Sequence, residues 1–129
     1  MTIEHVALWT TDLEQSRHFY TTYFGATASN RYHNPTRRFT SYFLRFVSGA
    51  RLELMHRPEL LVAPTTQNEL RAGYAHLAFA TGDQAAVDHL TERLRAAGYT
   101  VLGEPRTTGD GYYESIVADP DGNPVEITV

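Results

Sequence analysis

The sequence predicts an α+β fold of two tandem βαβββ modules, with a curved, cup-shaped mixed sheet and its helices outside. Three observations carry this expectation. Each half opens with a short alternating strand pattern followed by an amphipathic helix that a glycine ends. Three further strand-like stretches then follow each helix, separated by Gly, Pro, Asn and Asp turn residues. Finally, a His-to-Glu spacing of 48 residues, His5 to Glu53, recurs as one of 50, His76 to Glu126.

In the first half, Ile3–Thr10 alternates as a strand does. Thr11-Asp12-Leu13-Glu14 has the form of a capping box led by the threonine. Leu13, Ser16, Tyr20, Tyr23 and Phe24 fall near helical spacing, and Gly25 ends the helix. Strands are expected over about Thr27–Tyr32, Phe39–Val47 and Arg51–His56. In the second half, Tyr74–Ala80 is the strand and Thr81-Gly82-Asp83-Gln84 the second capping box. Val87, Leu90, Leu94 and Ala97 form the apolar stripe, which stops at Gly98. Strands over about Thr100–Glu104, Tyr112–Ala118 and Val125–Val129 complete the repeat. The expected organisation is a single domain over 1–129, built from modules 1–57 and 73–129 with a linker over 58–72.

Composition narrows the chemistry. There is no cysteine, so disulfides, thiolate catalysis and thiolate zinc sites are excluded. All eleven basic residues are arginine, which excludes a lysine Schiff base and a P-loop lysine. A net charge of −4 gives no general attraction to nucleic acid. No apolar run approaches the roughly 18 residues of a membrane span, and Met1–His5 leads directly into a strand pattern. A cytoplasmic protein without nucleic-acid or membrane partners is the resulting expectation.

Side chains alternate across a strand, so the apolar positions fix where their neighbours point. Val6 and Leu8 oppose His5, Ala7 and Trp9. Leu52 and Leu54 oppose Arg51, Glu53 and Met55. Leu77 and Phe79 oppose His76 and Ala78, while Val125, Ile127 and Val129 oppose Glu126 and Thr128. All four candidates are therefore expected on the face away from the helix. Two carboxylates in one partly dry site repel each other and need a positive charge between them. Without lysine, that charge must come from arginine, a proton or a cation. Two imidazoles and two carboxylates supply the N and O ligands that suit a divalent metal ion: Ni, Zn or Co foremost, with Mn and Fe also compatible. His5, Glu53, His76 and Glu126 are the expected metal ligands. An isolated strand histidine is ordinarily a structural residue; it is the recurrence of the pattern that favours a metal.

The doubled βαβββ order, these four residues and the terminal run Asp119-Pro120-Asp121-Gly122-Asn123-Pro124-Val125-Glu126 resemble the vicinal oxygen chelate superfamily. Its members include glyoxalase I, extradiol dioxygenases and bleomycin resistance proteins. Within it, the His/Glu/His/Glu set is most similar to glyoxalase I. The resemblance implies a metal-dependent lyase or isomerase acting on a hemithioacetal or related α-oxo small molecule through a metal-bound enediolate. Glu126 and Glu53 are both candidates for the catalytic base. The resemblance also implies substrate contacts near Trp9 and Arg57. Trp9 stands where glyoxalase I commonly has a glutathione-gripping arginine, and Arg57 near its glutathione-binding asparagine, so another thiol adduct or dicarbonyl-like substrate fits at least as well as the glutathione adduct of lactoylglutathione lyase. Arg51, which shares the facing of Glu53, and His56, at the end of that strand, complete the candidate substrate-binding set. A homodimer is implied, with sites within one chain or between two. Two readings compete with the enzyme of glyoxalase type: a sequestering protein of bleomycin-resistance type and an Fe(II) extradiol dioxygenase.

Overall fold

The computed structural model describes residues 1–61 and 72–129. Of the connection expected over 58–72, residues 62–71 lie outside the described residues. The chain divides into two compact units, Met1–Ala72 and Gly73–Val129, each with one helix and its own mixed sheet. The α+β class expected from the sequence is thus present. No helix among the described residues is long and apolar enough to cross a membrane.

The first unit runs β1 (His5–Trp9), α1 (Leu13–Tyr23), β2 (Thr27–Ala28), β3 (Tyr32–Asn34), β4 (Phe39–Arg45) and β5 (Arg51–His56). Its strand order is β1-β5-β4-β2, with β3 also paired to β4, and β1 runs parallel to β5. The single strand expected over Thr27–Tyr32 is two short pieces. Between them the Ser29 hydroxyl accepts from the Phe43 amide at 3.0 Å and donates to the Asn30 carbonyl at 2.9 Å. A side chain takes the place of a backbone partner there, and the strand breaks.

Residues alternate as the sequence requires. Leu52 and Leu54 are buried against the helix side, where Leu13, Phe19, Tyr20 and Leu44 join them. Each fully buried apolar side chain of this size contributes about 1.5–3 kcal/mol. Tyr42, in β4, donates to Glu14 of α1 at 2.8 Å, so it ties helix to sheet.

The second unit contains β6 (Leu77–Ala80), α2 (Gln84–Ala96), β7 (Val101–Thr107), β8 (Tyr113–Ala118) and β9 (Pro124–Thr128). The order is β6-β9-β8-β7, and β6 is parallel to β9. Val87, Leu94, Val117, Val125 and Ile127 are fully buried. Beside them the Thr91 hydroxyl donates to the Val87 carbonyl and meets Ser115 Oγ, both at 2.7 Å. Tyr113 donates to Asp88 of α2 at 2.8 Å, as Tyr42 does to Glu14 in the first unit.

Both helices start later than the capping boxes predict. Asp12 caps α1, accepting from the amides of Glu14 and Gln15, and Asp83 caps α2, accepting from Ala86. The sheet ladder holds the preceding residues: Thr10 N–H bonds to Met55 and Thr81 N–H to Thr128, both at 2.8 Å. The helix therefore opens only beyond them, where an aspartate is next available to accept. Gly98, at φ +89°, ends α2 in the left-handed conformation. Its N–H returns to Arg95 and that of Tyr99 to Leu94, closing the last turn as a Schellman motif.

A candidate metal and substrate site

Each unit pairs one histidine with one glutamate, by the same backbone device. In the first, Ala7 is the register partner of Glu53 across the parallel β1–β5 ladder. In the second, Ala78 is the partner of Glu126 across β6–β9. His5 and His76 each stand two residues before that alanine, on the same face by alternation. The small alanine leaves the flank of each carboxylate uncovered. On its other side Glu53 faces Phe43, and Glu126 faces Ile116.

The resulting separations are 3.9 Å from His5 Nε2 to Glu53 Oε2 and 3.4 Å from His76 Nε2 to Glu126 Oε2. Ligand bonds of about 2.1 Å place neighbouring donor atoms about 3.0 Å apart at right angles and about 3.4 Å apart at the tetrahedral angle. The second pair meets that span as it stands, and the first is wider by a small side-chain rotation. The donor set of neutral imidazole nitrogen and carboxylate oxygen fits a divalent ion of the Ni, Zn or Co type. Each unit holds one such pair. Among the described residues, no group of three or more His, Asp or Glu side chains forms a fuller ligand cluster.

His76 lies just ahead of β6, which begins at Leu77 rather than at the expected Tyr74. The position of Glu126 is fixed by the turn before β9. There Asp119 Oδ1 accepts from the amides of Asp121 and Asn123 at 3.0 and 2.8 Å, and Asn123 Nδ2 donates to Oδ2 at 3.0 Å. Asp119 is buried, so the turn and the register it sets are tightly held.

The two glutamates have equal side-chain exposure, 15%, but different neighbours. Burial pushes the Glu126 carboxyl above its ordinary range, and the nearby Glu114 carboxylate adds to the effect while His76 opposes it. Glu114 is held in turn by Arg106, at 3.6 Å. Sequence reasoning missed Glu114. Its facing could have been read from buried Ser115 and Val117, but its nearness to Glu126 depends on the β8–β9 register.

The expected substrate-binding residues fall into two groups. Trp9 continues the His5–Ala7 face of β1 and meets Phe39 edge-on at 6.2 Å. Arg57, two positions beyond Met55 on the same face, lies 5.9 Å from the Trp9 ring and 5.8 Å from that of Phe39. Its Nε is buried and has no hydrogen-bond partner among the described residues. Trp9 and Tyr32 remain substantially exposed, so an aromatic surface flanks the first His–Glu pair. Arg51 and His56 are engaged elsewhere. The Arg51 guanidinium binds Glu4 and stacks over Phe43 at 4.2 Å. His56 sits in register with the core-facing residues of β5, and its Nδ1 donates to the Thr10 carbonyl at 2.9 Å.

Comparison with known proteins agrees with this architecture. The uncharacterized protein YqjT of Bacillus subtilis (strain 168) is 31% identical over 128 residues, which are 97% of this chain and 96% of that protein. The crystal structure of SMU.1112c superposes with a TM-score of 0.81 at 27% identity, covering all of this chain and 98% of the other. Glyoxalase I from Zea mays matches 98% of the chain with a TM-score of 0.79 and 23% identity, a likeness of fold. The chain spans only 44% of the length of that maize enzyme. A family model matches residues 2–127, and on that match the chain belongs to the glyoxalase/bleomycin resistance protein/dioxygenase superfamily.

Proposed function

We propose that this chain is a divalent-metal-dependent enzyme of glyoxalase I type, a lyase or isomerase acting on a hemithioacetal or related α-oxo small molecule. The observation that carries the reading is the repeated His–Glu pair, built twice by the same register offset from alanine. His5, Glu53, His76 and Glu126 would hold the ion, all from one chain or contributed by two chains of a cytoplasmic homodimer. When bound, the ion supplies Lewis acidity to neighbouring oxygens of the substrate.

The remaining chemistry belongs to the protein. Isomerisation between adjacent carbons needs a base that takes a proton from one carbon and returns it to the next. Glu126 would suit that role on leaving the ion; in the metal-free chain, burial and the neighbouring Glu114 raise its proton affinity. Glu53 is the alternative, reached from the same pattern in the first unit. Trp9 and Phe39 offer apolar area to the body of the substrate, and Arg57 offers a cation between their rings. Trp9 cannot grip a carboxylate as an arginine would, which argues for a thiol partner other than glutathione.

Metal analysis after chelator-free purification, followed by turnover assays on methylglyoxal hemithioacetals of several thiols, tests the proposal. Bound metal near one ion per chain with turnover supports it. Less than about 0.1 ion per chain, with no stabilisation on adding Ni²⁺, Zn²⁺ or Co²⁺, refutes it in favour of small-molecule sequestration. Sedimentation equilibrium tests the dimer.

A further inference from the structure

The two histidines differ in what stands behind them. Glu4 Oε2 lies 2.5 Å from His5 Nδ1, the ring nitrogen opposite the one that faces Glu53. The other Glu4 oxygen accepts from the Arg51 guanidinium, and the Arg51 amide donates to the Glu4 carbonyl at 3.0 Å. Phe43 completes the arrangement, with Arg51 over its face at 4.2 Å and His5 against it edge-on at 5.4 Å. Glu4 is thus fixed at both ends although its side chain is 62% exposed. His76 follows Ala75, whose methyl side chain offers no such acceptor.

A neutral imidazole has one N–H, and which nitrogen bears it is set by the partner of the other. An ionised carboxylate only accepts, so a carboxylate at Nδ1 places the proton there and leaves the Nε2 lone pair free. We propose that Glu4, anchored by Arg51, is a positioning residue that fixes the tautomer and ring orientation of His5 so that Nε2 is presented as a ligand. The Arg51 guanidinium at the second Glu4 oxygen is a cation that favours the carboxylate form, which only accepts. Carboxylates in this position behind a ligating imidazole typically strengthen metal affinity by about 10–100-fold. The inference rests on the metal reading for its purpose, but the tautomer stands without it.

Long-range ¹H–¹⁵N correlation spectra of the metal-free protein at pH 8 test it directly. In the wild type, His5 should carry its proton on Nδ1, as His56 does through its bond to Thr10. Glu4→Ala should move His5 toward the Nε2–H form and leave the other five imidazoles unchanged; Glu4→Gln, whose amide oxygen still accepts, should move it less. Calorimetric titration with Ni²⁺ alone should show Glu4→Ala binding about 10–100-fold more weakly than wild type. A wild-type His5 protonated on Nε2, or a tautomer that ignores Glu4→Ala, overturns the proposal. If the wild type binds no divalent ion while the tautomer responds as expected, the metal reading fails and the role of Glu4 in orienting His5 survives.

Discussion

Replacing Glu126 with glutamine should make the metal-free protein more stable and the metal-loaded protein less so. The first effect follows from the carboxyl's surroundings: its side chain is 15% exposed, and Glu114 lies beside it. Its pKa in the folded chain is raised, so ionising it costs nothing below the unfolded value of 4.5. The cost grows as pH rises through the raised value and is fully present above it. Glutamine has no such cost, so metal-free Glu126→Gln should exceed wild type in stability at pH 7, and the gap should close as pH falls to about 4.5. The second effect follows from losing an anionic ligand, which we expect to weaken binding about 100-fold. With metal at about 100 times the wild-type Kd, the wild type gains about 2.7 kcal/mol and the variant only about 0.4 kcal/mol. The difference, about 2.3 kcal/mol, corresponds to about 10 °C of metal-induced shift in Tm for a chain of this size. Thermal unfolding between pH 4.5 and 8, with EDTA or with Ni²⁺, measures both signs. An unchanged metal shift would show that Glu126 is not a ligand, and a metal-free variant weaker than wild type at pH 7 would refute the account of its burial.

Three further outcomes are expected. Thr91→Val strands the buried Ser115 hydroxyl and should cost about 1–3 kcal/mol in urea unfolding, much of it recovered in Thr91→Val/Ser115→Ala; additive losses would count against the pairing. Asp83→Ala removes the acceptor for the Ala86 amide and should cost about 1 kcal/mol, whereas an Ala at Gln84, outside the cap, should change stability by less than about 0.5 kcal/mol. Trp9→Ala should raise KM about 2–10-fold with kcat nearly unchanged, because it removes apolar contact made equally before and during the reaction; a fall in kcat alone would place Trp9 in a different role.

The facing of Glu53 and Glu126 was legible because Leu52/Leu54 and Val125/Ile127 alternate around them and are buried as that pattern requires. Helix ends at Gly25 and Gly98 were legible for a similar local reason: both residues adopt positive φ, which glycine tolerates. The caps were misplaced because threonine and aspartate both serve as N-caps, and the choice was made by ladder bonds at Thr10 and Thr81 that come from distant strands. The same limit hid the neighbours of the His–Glu pairs. Glu4 touches Arg51 and Glu114 approaches Glu126 only through cross-strand register, which no pattern within one strand encodes. Arg51 and His56 illustrate the converse: both belong to the strand that carries Glu53, yet their polar atoms are engaged by Glu4 and Thr10.

The ladder offset that joins each imidazole to its carboxylate has a consequence for tuning. Because adjoining main chains act as the ruler, the spacing of the two backbone positions is an inheritance of strand register, and the gap between donor atoms varies only with side-chain length and rotation. Access to the pairs depends on what surrounds them. The alanines at positions 7 and 78 are the first places to look, since a bulkier residue at either would wall off a carboxylate without moving it.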